Sequence, residues 1–162
     1  MVSIGLEINA QETKGKENKN LIVFAFGYTF VPKGASAEGA EAKGVLVPSI
    51  GFDYFREISD KFEIGAMIDL ELAEYLILEK NLNREKAFLV VAVGAYKLSS
   101  NMTLFLGGGI ELEKHENLAI ARLGADYNFK LGADWVLGPS FFYDLKKGYD
   151  TWSLSLGIGK EF

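Results

Sequence analysis

The chain contains no cysteine, which excludes a disulfide framework and any thiolate metal site. A single histidine, His115, excludes a His-rich metal site as well. No apolar run approaches the ~18 residues that a transmembrane helix needs, so no such helix is expected. Positive charge is short: 17 Lys and Arg stand against 22 Asp and Glu, a net charge of −5. No basic patch is available to track phosphates, and a nucleic-acid partner is not expected. The opening MVSIGLEINAQ lacks the basic start and apolar core of a secretory signal, so if the protein is exported, Met1 is expected to begin a mature or recombinant form.

What the chain does have points to strands. Eighteen glycines and 13% aromatic residues, with only three prolines, suit an all-β protein, because glycine weakens helices and aromatic side chains favour pleated surfaces. The 162 residues fit one domain spanning 1–162, large enough for a sizeable core or a small closed barrel.

Nine segments alternate bulky apolar residues with small or polar ones at a period of two: 2–10, 21–32, 44–56, 62–78, 87–97, 102–113, 118–129, 135–144 and 151–162. In the last of these, Trp152, Leu154, Leu156, Ile158 and Phe162 share one face, and Ser153, Ser155, Gly157, Gly159 and Glu161 the other. A soluble sheet hides its bulky face and shows charges; a membrane barrel shows the bulky face to lipid and keeps small polar residues inside. Segment 62–78 reads as the longest strand, since its strict alternation outweighs the helix-compatible LELAEYLILEK at its end. Pro48 is awkward inside a ladder because it lacks a donor. Short connections (57–61, 98–101, 130–134) alternate with longer charged ones (33–43, 79–86, 113–117, 145–150), as in barrels with tight periplasmic turns and larger outer loops. Such a barrel wants an even number of strands. Eight is therefore the expected count, which requires either that the first segment is not a full wall strand or that one of the segment boundaries is misplaced.

These features resemble the small bacterial outer-membrane β-barrels. The resemblance rests on the terminal Phe162 with alternating apolar residues behind it, on hairpins spanning the whole chain, and on stretches such as FGYTFVPKG, VPSIGFDYF and DTWSLSLGIGKEF. It implies a closed antiparallel up-and-down transmembrane β-barrel in the bacterial outer membrane, a monomer whose partners are the lipid bilayer and the barrel-insertion machinery. Trp152, Leu154, Leu156, Ile158 and Phe162 would then form the insertion signal. Lys160 departs from that pattern, although a lysine there can snorkel to the headgroups.

Inside such a barrel the polar faces would collect Asp53, Glu63, Asp69, Glu71, Glu111, Asp126 and Asp144 around Arg122. Buried charges must be paired, so the expected structure is an Arg122-centred network plugging a narrow lumen. Aromatic belts are expected at both rims, with Phe52, Tyr54, Tyr127, Phe129, Trp135 and Phe162 at one and Tyr143, Tyr149 and Trp152 at the other. His115, within EKHEN, reads as a solvated loop residue with no serine placed for a hydrolytic triad. Gly107, Gly108 and Gly109 read as close packing in the wall rather than a phosphate cradle. No catalytic residue, metal site or cofactor is expected. The leading functional expectation is a structural or interaction barrel, not an enzyme, with a plugged polar lumen and exposed loops. The alternatives are a narrow pore with an acidic lumen and a soluble lipocalin-like barrel that turns its bulky face inward onto a lipophilic ligand.

Overall fold

The computed structural model of the chain describes residues 20–36 and 44–162. In chain order its strands are β1 (Asn20–Val31), β2 (Gly34–Ser36), β3 (Val45–Glu57), β4 (Phe62–Glu71), β5 (Glu74–Ile77), β6 (Leu82–Glu85), β7 (Phe88–Lys97), β8 (Met102–Leu112), β9 (Leu118–Tyr127), β10 (Phe129–Gly132), β11 (Trp135–Lys146) and β12 (Tyr149–Glu161). β1 pairs antiparallel with β3 on one side and with β12 on the other, from Leu21↔Glu161 to Phe30↔Trp152, so the sheet closes on itself. β10 continues β9 after a break at Asn128, and both pair with β11. The wall therefore has eight antiparallel staves, β1, β3, β4, β7, β8, β9 with β10, β11 and β12. The even count expected from the sequence holds among the described residues. Segment 2–10, the doubted ninth strand, lies outside them.

Alternation dictates which side each residue takes. Phe26, Leu106 and Leu154 point outward with 60%, 64% and 59% of their surface exposed, while Val47, Val91 and Arg122 point inward and are fully buried. The bulky face is on the outside throughout, the opposite of the lipocalin-like arrangement. The inside is packed: Phe55, Met67, Leu89, Val91, Phe105 and Phe142 belong to one apolar cluster, and Val31, Val47, Tyr75, Ile77, Leu118 and Tyr149 form a second.

The two ends differ. Asn20 and Phe162 exchange backbone hydrogen bonds at 2.8 and 2.9 Å at the end that carries the tight turns; this is the turn end, and the other is the loop end. At the loop end β2, β5 and β6 make a separate three-stranded sheet. The segment read as one long strand over 62–78 is therefore two strands. Its last rung on the wall is Leu72 donating to the Pro48 carbonyl at 2.8 Å, after which the chain leaves the barrel and Tyr75 and Ile77 bury into the second cluster. Burial continues to alternate through the exit, but the bulky residues change sides, from the even positions up to Leu72 to the odd Tyr75 and Ile77, and this change of parity marks the break. β6 then occupies part of what reads as the charged loop 79–86, and β2 part of 33–43, of which 37–43 lie outside the described residues.

Two further connections are tighter than their composition suggests. Lys146 pairs with Tyr149 across Lys147 and Gly148, with Gly148 at φ +107°, so the expected longer loop at 145–150 is a hairpin turn. The turn read at 130–134 shrinks to Ala133 and Asp134, at φ 48° and 64°, the two positive values of a type I′ turn. The belts are present with corrections. Tyr54, Tyr127, Phe129, Trp135 and Phe162 are exposed near the turn end, joined by Phe62 and Tyr96, whose rings lie 5.1 Å apart. Phe52 faces out farther into the wall, opposite Phe24. Trp152 and Tyr143 belong to the loop-end rim, with rings 4.4 Å apart, but Tyr149 does not: it points inward and is buried, because it opens β12 on the odd-numbered, inward face.

Candidate functional site

The chemistry of this chain is concentrated inside the barrel, where the sequence pattern puts the polar residues of every stave on one surface. Small side chains on β12 and β8, including Ser153, Ser155, Gly107 and Gly109, leave room for the longer charged ones opposite. The charged groups fall into three tiers along the axis.

At the loop end, Lys146 lies between Glu71 and Glu111, at 3.3 and 2.8 Å. Tyr75 donates to Glu71 at 2.5 Å, and Tyr149 donates to the Glu111 carboxylate at 2.9 Å. Arg84, carried on β6, is fully buried: its Nε donates to Glu111 at 2.6 Å, a second guanidinium nitrogen also contacts Glu111, and a third donates to the Glu116 carbonyl at 2.7 Å. The β5–β6 hairpin thus inserts a tyrosine and an arginine into the barrel mouth. Burial and the negative charge of Glu71 push the Tyr75 hydroxyl well above its usual range. Burial alone would raise the Glu113 carboxyl, but the backbone N–H and ring of His115, the Glu85 N–H and the Arg84 charge bring it below the usual value.

In the middle, Arg122 grips Asp144 with two nitrogens at 2.7 and 2.8 Å and Asp69 with a third at 2.7 Å. The Phe142 ring centroid lies 3.9 Å from the guanidinium carbon. This planar fork shared between two carboxylates, backed by an aromatic face, is the geometry that arginine suits and lysine does not. At the turn end, Lys97 bridges Glu57 and Glu63, both at 2.8 Å. Asp53 and Asp126 line a cavity of about 30 Å³ nearby, and neither joins an ion pair among the described residues.

The eight polar residues read from the sequence all take the inward face, but not around a single arginine. Asp69 and Asp144 meet Arg122. Glu71 and Glu111 belong to Lys146 and Arg84 instead, Glu63 belongs to Lys97, and Asp53 and Asp126 stand apart. The residues not anticipated are Glu57, Lys97, Lys146, Tyr149, Tyr75 and Arg84. Carrying the alternation to the strand ends finds the first four; Tyr75 and Arg84 ride on the hairpin that leaves the wall, and nothing in the sequence aims it back into the mouth. His115 is a surface residue, as expected, with Nδ1 2.9 Å from Glu113. Among the described residues no three His, Asp or Glu side chains gather as a metal site.

No protein-family model matches the chain, and no curated protein matches its sequence. Solved structures do match. Ail, the attachment invasion locus protein of Yersinia pestis, superposes with a TM-score of 0.61 at 16% identity, covering 91% of this chain and 100% of that one. Neisserial surface protein A gives 0.54 at 11% identity over 88% and 97%, and the outer membrane protein OprG of Pseudomonas aeruginosa 0.52 at 14% over 90% and 96%. At these identities the likeness is one of fold. The eight-stranded closed barrel is similar to theirs.

Proposed function

We propose that this chain is an integral outer-membrane β-barrel of structural or interaction type, closed through its centre by its own side chains and presenting its loop end, capped by the three-stranded sheet, to the exterior. The observation that carries the reading is the inversion of the barrel: a continuous bulky apolar exterior around a charged, ion-paired interior. Water solvates such an exterior poorly, whereas hydrocarbon does not penalise it. The main wall strands are 10 to 13 residues long, and a tilted membrane strand needs about 9–11. The fold neighbours named above support the outer membrane as the location, and the attachment protein among them fits a role carried by exposed loops.

In this reading the chain works by presenting a rigid surface. A conducting path would require Arg122 or Lys146 to leave two buried carboxylates, and breaking buried pairs of this kind costs about 3–5 kcal/mol. Insertion machinery would read the exposed row ending at Phe162, and the barrel would act as a monomer without cofactor or catalysis. Two measurements on refolded protein test this. Folded barrel should migrate differently before and after boiling in detergent, and planar bilayers should show no steady conductance. A chain that stays folded and monomeric in plain buffer defeats the membrane reading. Steady conductance that changes in Arg122→Ala favours the narrow pore, the second reading, for which the unpaired Asp53 and Asp126 are the specific observation.

A further inference from the structure

The charges of the lumen do not balance. In its middle and turn-end tiers six carboxylates, Asp53, Glu57, Glu63, Asp69, Asp126 and Asp144, face two cations, Arg122 and Lys97. Both cations are engaged: Arg122 with Asp69 and Asp144, and Lys97 with Glu57 and Glu63. The excess therefore falls on Asp53 and Asp126. Asp53 is only 7% exposed, and its Oδ1 has no hydrogen-bond partner among the described residues. The carboxylate has a backbone hydrogen bond from Ile68 but no cation of its own, and a buried charge left so costs several kcal/mol unless something small neutralises it.

The space beside it has the right chemistry. The polar part of the lining of this cavity of about 30 Å³ comprises Asp53, Glu63 and Asp126 and the oxygen-bearing side chains of Thr103, Asn128, Ser140 and Ser155. Leu21, Val23, Ala25, Phe55 and Pro139 complete the wall, so the polar atoms that reach the space are mainly oxygens, and oxygen donors suit hard cations. The volume exceeds what one water needs, about 10–15 Å³, but leaves no room for an organic cation. Glu63, the third acidic residue of the lining, is held by Lys97, and among the described residues no three acidic or imidazole groups converge closely enough to hold a metal ion, so the cage a dehydrated divalent ion demands is missing.

We propose that the turn-end half of the lumen is a binding site for a small monovalent cation such as sodium, held with a water between Asp53 and Asp126. The site rests on the closed-lumen reading and deepens it: the ion is an internal counter-charge that completes the plug, bound from the turn end. The test uses the refolded barrel in zwitterionic detergent and compares urea unfolding in sodium chloride with that in choline chloride at equal ionic strength. Wild type should unfold at a higher urea concentration in sodium, and Asp53→Asn and Asp126→Asn should each lose that increment while keeping the mobility shift on boiling. Sodium-23 relaxation on the wild-type barrel, with choline as the non-competing cation and lithium as the competing one, gives a readout independent of either variant's folding. Equal midpoints in the two salts, unperturbed sodium relaxation, or an undiminished increment in both folded variants would overturn the site; a shared proton in place of the ion gives the first two. Loss of the mobility shift in wild type would instead count against the barrel reading on which the site rests.

Discussion

Arg122 is held on three sides by carboxylate oxygens at 2.7–2.8 Å with no exposed surface. Removing the guanidinium leaves Asp69 and Asp144 charged and facing each other, so Arg122→Ala should cost about 3–5 kcal/mol by urea unfolding, and adding Asp144→Ala should recover part of the loss. Glu113 makes a second prediction, of pH dependence. Its folded-state carboxyl titrates below its usual range, so its stabilising contribution is present above the unfolded value of about 4.3 and is lost as pH falls through the folded one. The amides of His115 and Glu85, which donate to Glu113 at 2.7 and 3.3 Å, should lose hydrogen-exchange protection relative to β8 as pH falls below about 4, and Glu113→Gln should abolish that dependence. Which side each residue faces was legible in the sequence, because parity alone decides it along a strand. Partner choice was not. Glu71 and Asp69 are two residues apart on one face, yet they meet different cations, and the separation is set by stave register and by an arginine delivered from outside the wall.

At the scale of elements, the glycine run of β8 shows how the staves are fitted together. A Cβ on Gly107 would collide with the Ala92 carbonyl oxygen and one on Gly109 with that of Val90, while Gly108, facing outward, has nothing nearer than the Ile120 oxygen at 3.6 Å. Gly107→Ala should therefore destabilise the barrel by about 1–3 kcal/mol, and Gly108→Ala should be nearly neutral, in parallel urea titrations. The reading of these glycines as close packing follows from their place in an alternating strand. Element ends were less legible. Charge and glycine over 145–150 read as a loop, but a single positive-φ Gly148 closes it as a turn, and the exit of β5 from the wall shows only as a change of parity, the apolar residues passing from even positions to the odd Tyr75 and Ile77.

At the scale of the whole molecule, the defining property is the inversion of inside and outside, and it was the most legible of all. Eight staves repeat one bulky and one small face, and a closed sheet can put only one of them outside. What the sequence did not reveal is the cap, since the β2–β5–β6 sheet depends on contacts between segments some forty residues apart, Gly34 to Ile77 among them. The two tryptophans stand at opposite rims of the exterior, Trp135 at 44% exposure under the Lys160 ammonium and Trp152 at 42% beside Tyr143. Their emission reports directly on what surrounds the wall. In vesicles of brominated phospholipid, emission from both should be strongly quenched, and more by bromines near the headgroups than by bromines at the chain ends. Unquenched emission from chain that is folded and bound to the vesicles would contradict a lipid-facing barrel.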